Sequence, residues 1–245
     1  GPVDQDLLED SQLAISAYLR AQGYRDAVVD PPSKELFGDT LRIAFQVSRG
    51  PQFRLGGVEV AVEPPSASSA VAVDSALEPG ELFVQARLDA ELARLAEQFR
   101  LAGYRQVRVK PELTDTHGTG PADARTSIRI AVDAGERTIV ETVTIAGARE
   151  LDVGLATRVI RTAAGGPLYD RQVAADRDAI LAVYADRGYQ LARVETRTEP
   201  AGPGRAAVTF EVAEGPRMLV DRILVVGNER ISTPTIRRQL TVAEG

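Results

Sequence analysis

Apolar positions at helical and at alternating spacing follow one another in a fixed order, and residues 137–217 show that order most clearly. The β-branched stretch 138–145 predicts a strand. Two helical faces follow, because apolar residues recur at helical spacing; they are Leu151, Leu155, Val159 and Ile160, and then Val173, Ile180, Leu181 and Tyr184. The stretches 191–197 and 207–212 predict a closing hairpin. The predicted order is β-α-α-β-β.

Residues that favour helix termini flank the second of these helices. Asp170 stands where an N-cap acceptor is expected, and Gly188 stands where a left-handed C′ residue is expected. The Gly-Gly-Pro sequence at 165–167 separates the two helices. We therefore expect a first helix over 151–163 and a second one with Asp170 as its N-cap.

Residues 51–136 repeat this pattern with a weaker first helix. Residues 58–62 predict the first strand, and 106–113 and 127–132 predict the hairpin. A long helix between them has its apolar stripe at Leu88, Leu92, Leu95 and Phe99. Two prolines and a run of small residues at 64–72 predict a frayed or looped segment where the first helix would be. The hairpin loop at 114–124 is long.

Both ends of the chain carry part of the pattern. Residues 1–50 predict a long helix and two strands at 26–29 and 41–47, with Leu8, Ile15 and Leu19 on one helical face. Residues 218–245 predict a first strand at 219–226 and a helix capped near Ser232. We expect the array to continue beyond the chain on at least one side.

Short landmarks recur every 80 to 90 residues or so, in the same phase as the hydrophobic pattern. A Gly-Tyr pair follows each long predicted helix, and Tyr18, Phe99 and Tyr184 precede the pairs. A polar residue and a glycine follow the last strand, and a glycine follows the first strand. The landmarks are Gly23-Tyr24, Gly103-Tyr104, Gly188-Tyr189, Glu214-Gly215 and Gly227-Asn228.

The repeat predicts an α+β fold of tandem small β-α-α-β-β domains. Each domain would be a three-stranded mixed sheet with two helices on one face, and the domains would form an elongated array. The predicted divisions are a first unit at 1–50, a second at 51–136, a third at 137–217 and a fourth at 218–245. The first and fourth units are partial, and the other two are complete.

Composition argues against catalysis and against nucleic-acid binding. The chain has no cysteine and one histidine, His117, in a glycine-rich loop. Thiolate chemistry is therefore excluded, and zinc and serine-histidine sites are disfavoured. The net charge is −6, so the chain lacks the excess of basic residues that binds nucleic-acid phosphates. We expect no enzyme activity, no cofactor and no nucleic acid partner.

The landmarks and their order resemble the polypeptide-transport-associated (POTRA) domain, and the resemblance covers essentially the whole chain. Gly-Asn after the first strand, Tyr before Gly-Tyr at the second helix, and Glu-Gly after the third strand are typical of that family. They match here at Gly227-Asn228, Tyr184 with Gly188-Tyr189, and Glu214-Gly215. The second unit departs from the pattern, with Phe99 for Tyr and Ala134-Gly135 for Glu-Gly.

The resemblance implies tandem POTRA domains of a BamA/TamA-like outer-membrane protein assembly factor, a periplasmic scaffold tethered to the outer membrane by a C-terminal β-barrel. Its expected partners are unfolded or nascent outer-membrane proteins and periplasmic lipoproteins or chaperones. A two-partner secretion transporter or a cell-division protein with POTRA domains is the alternative. An RNA-binding KH-like array is a remote one, because the segments 78–81 and 164–167 are neither GXXG loops nor basic.

The resemblance also suggests where clients bind. Strand addition to the free edge of a sheet is the expected mechanism, and the family usually offers the second strand. By position, the candidate residues are Gln106, Val107, Arg108, Val109 and Lys110 in the second unit and Ala192, Arg193, Val194, Glu195 and Thr196 in the third.

Overall fold

In the second and third units, the long apolar stripes lie in helices and the predicted strand stretches lie largely in strands. The computed structural model describes residues 5–117, 124–150, 152–219, 221–227, 232, 235–236 and 238–240. By their internal contacts, these residues form two compact bodies, 1–137 and 138–245.

The first unit is one helix followed by an interrupted hairpin. Helix α1 is Gln5–Ala21, and it buries Leu8 and Leu19. The strands are β1 (Val28–Val29), β2 (Ser33–Phe37), β3 (Thr40–Ala44) and β4 (Val47–Ser48). Pairing β1 with β4 and β2 with β3 extends the predicted hairpin, and two prolines at 31–32 separate its two sections.

The second unit has a mixed three-stranded sheet packed on one long helix. Its elements are β5 (Phe53–Glu63), a short 3₁₀ helix (Pro65–Ser69), α2 (Gln85–Leu101), β6 (Arg108–Thr116) and β7 (Ala124–Asp133). The sheet order is β5-β7-β6, with β5 parallel and β6 antiparallel to β7. The 3₁₀ helix agrees with the weak first helix that the sequence predicts.

The third unit repeats this topology with two α-helices. Its elements are β8 (Ile139–Ala146), α3 (Val153–Val159), α4 (Asp170–Ala185), β9 (Arg193–Gly202) and β10 (Arg205–Ala213), and the sheet order is β8-β10-β9. Val208, Phe210, Ile180 and Tyr184 lie at the centre of its core. The α+β class and the mixed sheets are thus confirmed.

Three predicted boundaries are wrong. Residues 114–116 are strand rather than loop, because they pair with residues 125–127 of β7. Helix α3 ends at Val159, before the predicted Ala163, and Ile160 already has extended backbone. Asp170 is the first helical residue and Tyr169 takes the N-cap position, where the acidic side chain at 170 favours the positive end of the helix dipole.

A further prediction, from the C-terminal end of the chain, is wrong. The described residues between 219 and 226 do not form a strand. In the second and third units, the first strand pairs with the third strand of its own unit, and the described residues of 218–245 include no such third strand. Tyr18 is exposed, and Leu19 is the buried residue four positions before Gly23, because the helix turns Leu19 towards the hairpin.

Candidate partner-binding edge strands

Each three-stranded sheet has two strands that pair on one side only. The third strand of each unit, β7 or β10, is central, so that β5, β6, β8 and β9 are edge strands. Edge strands carry N–H and C=O groups that no neighbouring strand satisfies, and these groups can pair with an extended segment.

The first-strand edges are partly covered by the segment that precedes the long helix. In the second unit, Leu55 donates its N–H to the Glu81 carbonyl (2.7 Å), and Phe83 donates to the Phe53 carbonyl (2.9 Å). In the third unit, Val140 donates to Gly166 and accepts from Gly165, both at 2.8 Å. The second strands have no such partner among the described residues.

The structure places most of the predicted binding residues on these second strands. Arg108, Val109 and Lys110 lie in β6, and Gln106 and Val107 precede it. In the third unit, Arg193, Val194, Glu195 and Thr196 lie in β9, and Ala192 precedes it. Both stretches are therefore at sheet edges, and their role in binding stays a prediction.

Side chains on the outer face of these edges carry alternating charge. Arg193, Glu195 and Arg197 are exposed along β9. Arg197 forms an ion pair with Glu211 of the central strand (3.2 Å), so that its head group leans away from the free edge. On the opposite face, Val194 is buried, and α4 packs on β9.

The Gly-Tyr landmarks close the long helices as the sequence predicts. Gly23, Gly103 and Gly188 have φ of 84°, 95° and 90°, a left-handed conformation that suits glycine. Tyr104 and Tyr189 are buried, with edge-to-face contacts to Phe99 (5.6 Å) and Tyr184 (5.9 Å) between ring centroids. Tyr24 is half-buried.

Glu214 does more than end a strand. Its buried carboxylate accepts hydrogen bonds from the N–H groups of Arg149 and Glu150 and from the Tyr184 hydroxyl. Burial, followed by this hydrogen bond to Glu214, raises the pKa of Tyr184 to about 12. Glu214 thus ties the loop after β8 to α4, and Gly215 turns the chain at φ 70°.

The fourth-unit landmark is only partly described. Gly227 has φ of 78°, which agrees with a turn, and Asn228 lies outside the described residues.

A buried carboxylate on the long helix of the second unit and one on that of the third were missed from sequence. Glu91 of α2 accepts from Ala76 N–H (3.1 Å), and Asp176 of α4 accepts from the N–H groups of Arg161 (2.9 Å) and Thr162 (2.8 Å). Burial raises the pKa of Asp176, but these hydrogen bonds outweigh it and lower the pKa below its usual value. The hydrogen bond from Arg94 lowers the pKa of Glu91. Both acids stand twelve residues before the Gly-Tyr glycine, a spacing that could have revealed them.

Arg25 was also missed, although it directly follows a Gly-Tyr landmark. Its guanidinium lies over the Phe53 ring at 4.3 Å and forms an ion pair with Asp115. Asp115 also accepts from the Thr126 hydroxyl (2.9 Å). The hydrogen bond with Arg25 lowers the pKa of Asp115. One residue of the first unit thereby contacts both edge strands of the second unit's sheet, at one end of that sheet.

Among the described residues, no group of three or more His, Cys, Asp or Glu side chains is arranged to hold a metal ion. The His117 ring makes an edge contact with Phe53 (5.7 Å between centroids). Within the described part of the chain, no helix has the length and apolar character needed to cross a membrane.

A comparison with protein-family models matches the third unit. Residues 138–215 match the family model described as POTRA, surface antigen variable number repeat. A candidate outer membrane protein assembly factor of Treponema pallidum is 23% identical over 180 residues, which are 69% of this chain and 21% of that protein. The outer membrane protein assembly factor BamA of Nitratidesulfovibrio vulgaris is 21% identical over 100% of this chain and 21% of its own length. The chain thus spans about a fifth of both relatives.

Two solved structures are among those that are similar to this chain. The crystal structure of Haemophilus influenzae BamA POTRA3-5 is 17% identical, with a TM-score of 0.44, and the match covers 83% of this chain and 79% of that one. The N-terminal domain of Omp85 from Thermosynechococcus elongatus is 19% identical, with a TM-score of 0.39, over 78% and 77% of the two chains.

Proposed function

We propose, from the match of residues 138–215 to the POTRA family model, that the chain is a non-enzymatic binding module of an outer-membrane protein assembly factor. The names of both curated relatives support this proposal. The second unit has the same sheet order as the third, so that the chain offers the same kind of surface at least twice.

The proposed mechanism is strand addition to the free edge of a second strand. The observation that carries it is that β6 and β9 each pair on one side only, while other segments cover the start of β5 and β8. Backbone pairing depends weakly on side chains, so that one edge can receive many different extended clients.

The proposed clients are unfolded or nascent outer-membrane proteins. Their membrane strands alternate polar and apolar residues, a pattern that suits an edge with a charged face and a face beside a helix. Docking of periplasmic lipoproteins or chaperones, a periplasmic location and attachment to a membrane β-barrel belong to the same proposal. They rest on the relatives' names alone.

An NMR titration of the chain with peptides from an outer-membrane β-barrel tests the function. We expect the peptides to shift backbone amides of a second strand, and a short RNA to shift none, because the chain has a net charge of −6. Shifts with RNA alone would indicate a nucleic-acid module. The absence of shifts with either ligand would indicate that the chain is a spacer between other parts of the protein and not a binding module.

A further inference from the structure

The two second-strand edges differ in their backbone chemistry, and the difference begins at Pro111. This proline lies in the middle of β6, paired with Ile130 of β7. Proline has no N–H group to donate, so within sheets it is found on edge strands with its nitrogen turned away from the ladder. The residue at the same register position of β9 is Thr196, paired with Phe210.

Hydrogen bonds in the second unit show which way the backbone of β6 points. Ala134, which follows β7, donates its N–H to the carbonyl of Glu63 in β5 (2.9 Å). Peptide groups alternate in direction along a strand. The backbone N–H and C=O groups of even-numbered residues in β7 therefore point towards β5, and those of odd-numbered residues point towards β6. The carbonyl of the odd-numbered Arg125 has the expected direction, because it accepts a hydrogen bond from the Thr116 hydroxyl of β6 (3.4 Å).

The free edge of β6 therefore has a gap in its row of donors. Lys110 pairs with the odd-numbered Ala131, so its N–H and C=O groups point into the sheet. The backbone N–H groups of Val109 and Leu113 and the nitrogen of Pro111 point outward instead, towards the free edge. An extended segment that paired with β6 would meet the Pro111 ring where the central donor should be.

The free edge of β9 has no such gap over its middle. The register is continuous from 193 to 200, and Val194 pairs with Val212 as Val109 pairs with Val132. Chirality fixes the N–H direction for a given strand direction and side-chain face, so that Val194, Thr196 and Thr198 present outward N–H groups. Pro200 falls in the same series at the end of the row, where proline costs no ladder bond.

From this difference we infer that client strands add to β9 of the third unit and that Pro111 closes the equivalent edge of β6. This inference rests on the proposed function and narrows it to one edge. The occupant is an extended segment with alternating polar and apolar residues. Its polar face would lie beside Arg193, Glu195 and Arg197, and its apolar face would lie beside Val194 and α4.

The chain supplies its own matched variants for a test. Thr196→Pro places at the β9 edge the residue that β6 already has, at an exposed position, so that the fold should tolerate it. Thr196→Ala keeps the N–H group and removes the side chain. Pro111→Thr restores the missing donor on β6.

The probe is a ten-residue peptide of alternating valine and threonine with one lysine and one glutamate, titrated into the whole chain with NMR detection. For the wild type, we expect shifts at the amides of Val194, Thr196 and Thr198 and none at β6. Thr196→Pro should weaken binding by about tenfold or more, whereas Thr196→Ala should stay within about threefold. Pro111→Thr should add a second set of shifts at Val109 and Leu113.

Amide shifts of the buried residues in each variant show whether its fold is intact. Wild-type shifts at β6, or unchanged affinity of a folded Thr196→Pro variant, would contradict the inference that clients bind at β9. Neither result would contradict strand addition as the mechanism. If neither the wild type nor Pro111→Thr shifts any edge amide, both this inference and the proposed function are wrong.

Discussion

A β-carbon at position 188 would have to share space with a backbone carbonyl. Built on the observed backbone, it would lie 2.5 Å from the Met218 oxygen, and φ at this residue is 90°. Met218 also donates its N–H to the Gly188 carbonyl (2.7 Å). At the residue scale, Gly188 therefore allows the chain that leaves β10 to pack against the end of α4.

Gly188→Ala should consequently cost more stability than the same change at another left-handed glycine. Gly165 has φ of 82° with open space around it, so Gly165→Ala tests backbone strain alone, about 1–2 kcal/mol. Gly188→Ala adds the clash with Met218. Urea unfolding, followed by hydrogen exchange of the third-unit amides, measures both, and equal midpoints would contradict the close approach.

Tyr184 makes the third unit sensitive to alkaline pH. Its folded pKa of about 12 lies above the ordinary 10.0, so the folded state favours the protonated phenol. That stabilisation is complete below about pH 10 and is lost as pH rises towards 12. Tyr184→Phe should therefore lose less stability than the wild type across this window. Urea midpoints at pH 9 to 12 measure it, with the exposed Tyr18→Phe as control.

At the scale of elements, a buried carboxylate decides where α3 stops. Asp176 of α4 accepts from the N–H groups of Arg161 and Thr162, which would otherwise continue the helix. Glu91 of α2 accepts from Ala76 in the corresponding connection. The long helix of the second unit and that of the third thus organise the segments that precede them, whether those segments are helical or not.

Asp176→Ala should destabilise the third unit by about 1–3 kcal/mol, because two partly buried backbone N–H groups lose their acceptor. The lowered pKa of Asp176 also means that its contribution is present above the usual carboxyl pKa of 3.8 and is lost as pH falls below it. The variant should therefore show a flatter loss of stability in acid. Asp178→Ala, at an exposed position of the same helix, is the control and should change neither quantity.

At the scale of the molecule, the first and second units belong to one compact body, and Arg25 is a contact that holds them together. It stacks on Phe53 and pairs with Asp115, which lie in β5 and β6. A desolvated guanidinium over an aromatic ring is stabilising, and the carboxylate adds charge and geometry.

Arg25→Ala should loosen the first unit from the second without unfolding either of them. Residual dipolar couplings of α1 and of the β5-β7-β6 sheet should fit one alignment in the wild type and require two in the variant. Arg42→Ala is the matched control, since Arg42 also lies over a ring, Phe37 at 4.6 Å, but within a single hairpin. A single alignment for Arg25→Ala would mean that other contacts suffice.

Hydrophobic period and glycine conformation are local properties, so the amino-acid sequence was sufficient to predict the α+β class, the order of elements and the closure of the long helices by Gly-Tyr pairs. The edge position of the second strands followed from resemblance to POTRA domains. The binding role of Gln106–Lys110 and Ala192–Thr196 stays a proposal.

Contacts between polar groups that are distant in sequence depend on the folded arrangement of the strands and helices. The contact of Arg25 with Asp115 joins residues 90 positions apart, and Glu214 reaches residues 64 and 65 positions away. The direction of the Pro111 nitrogen likewise depends on which strand occupies the other side of β6. Such pairings depend on sheet order and register, and no local pattern contains either of them.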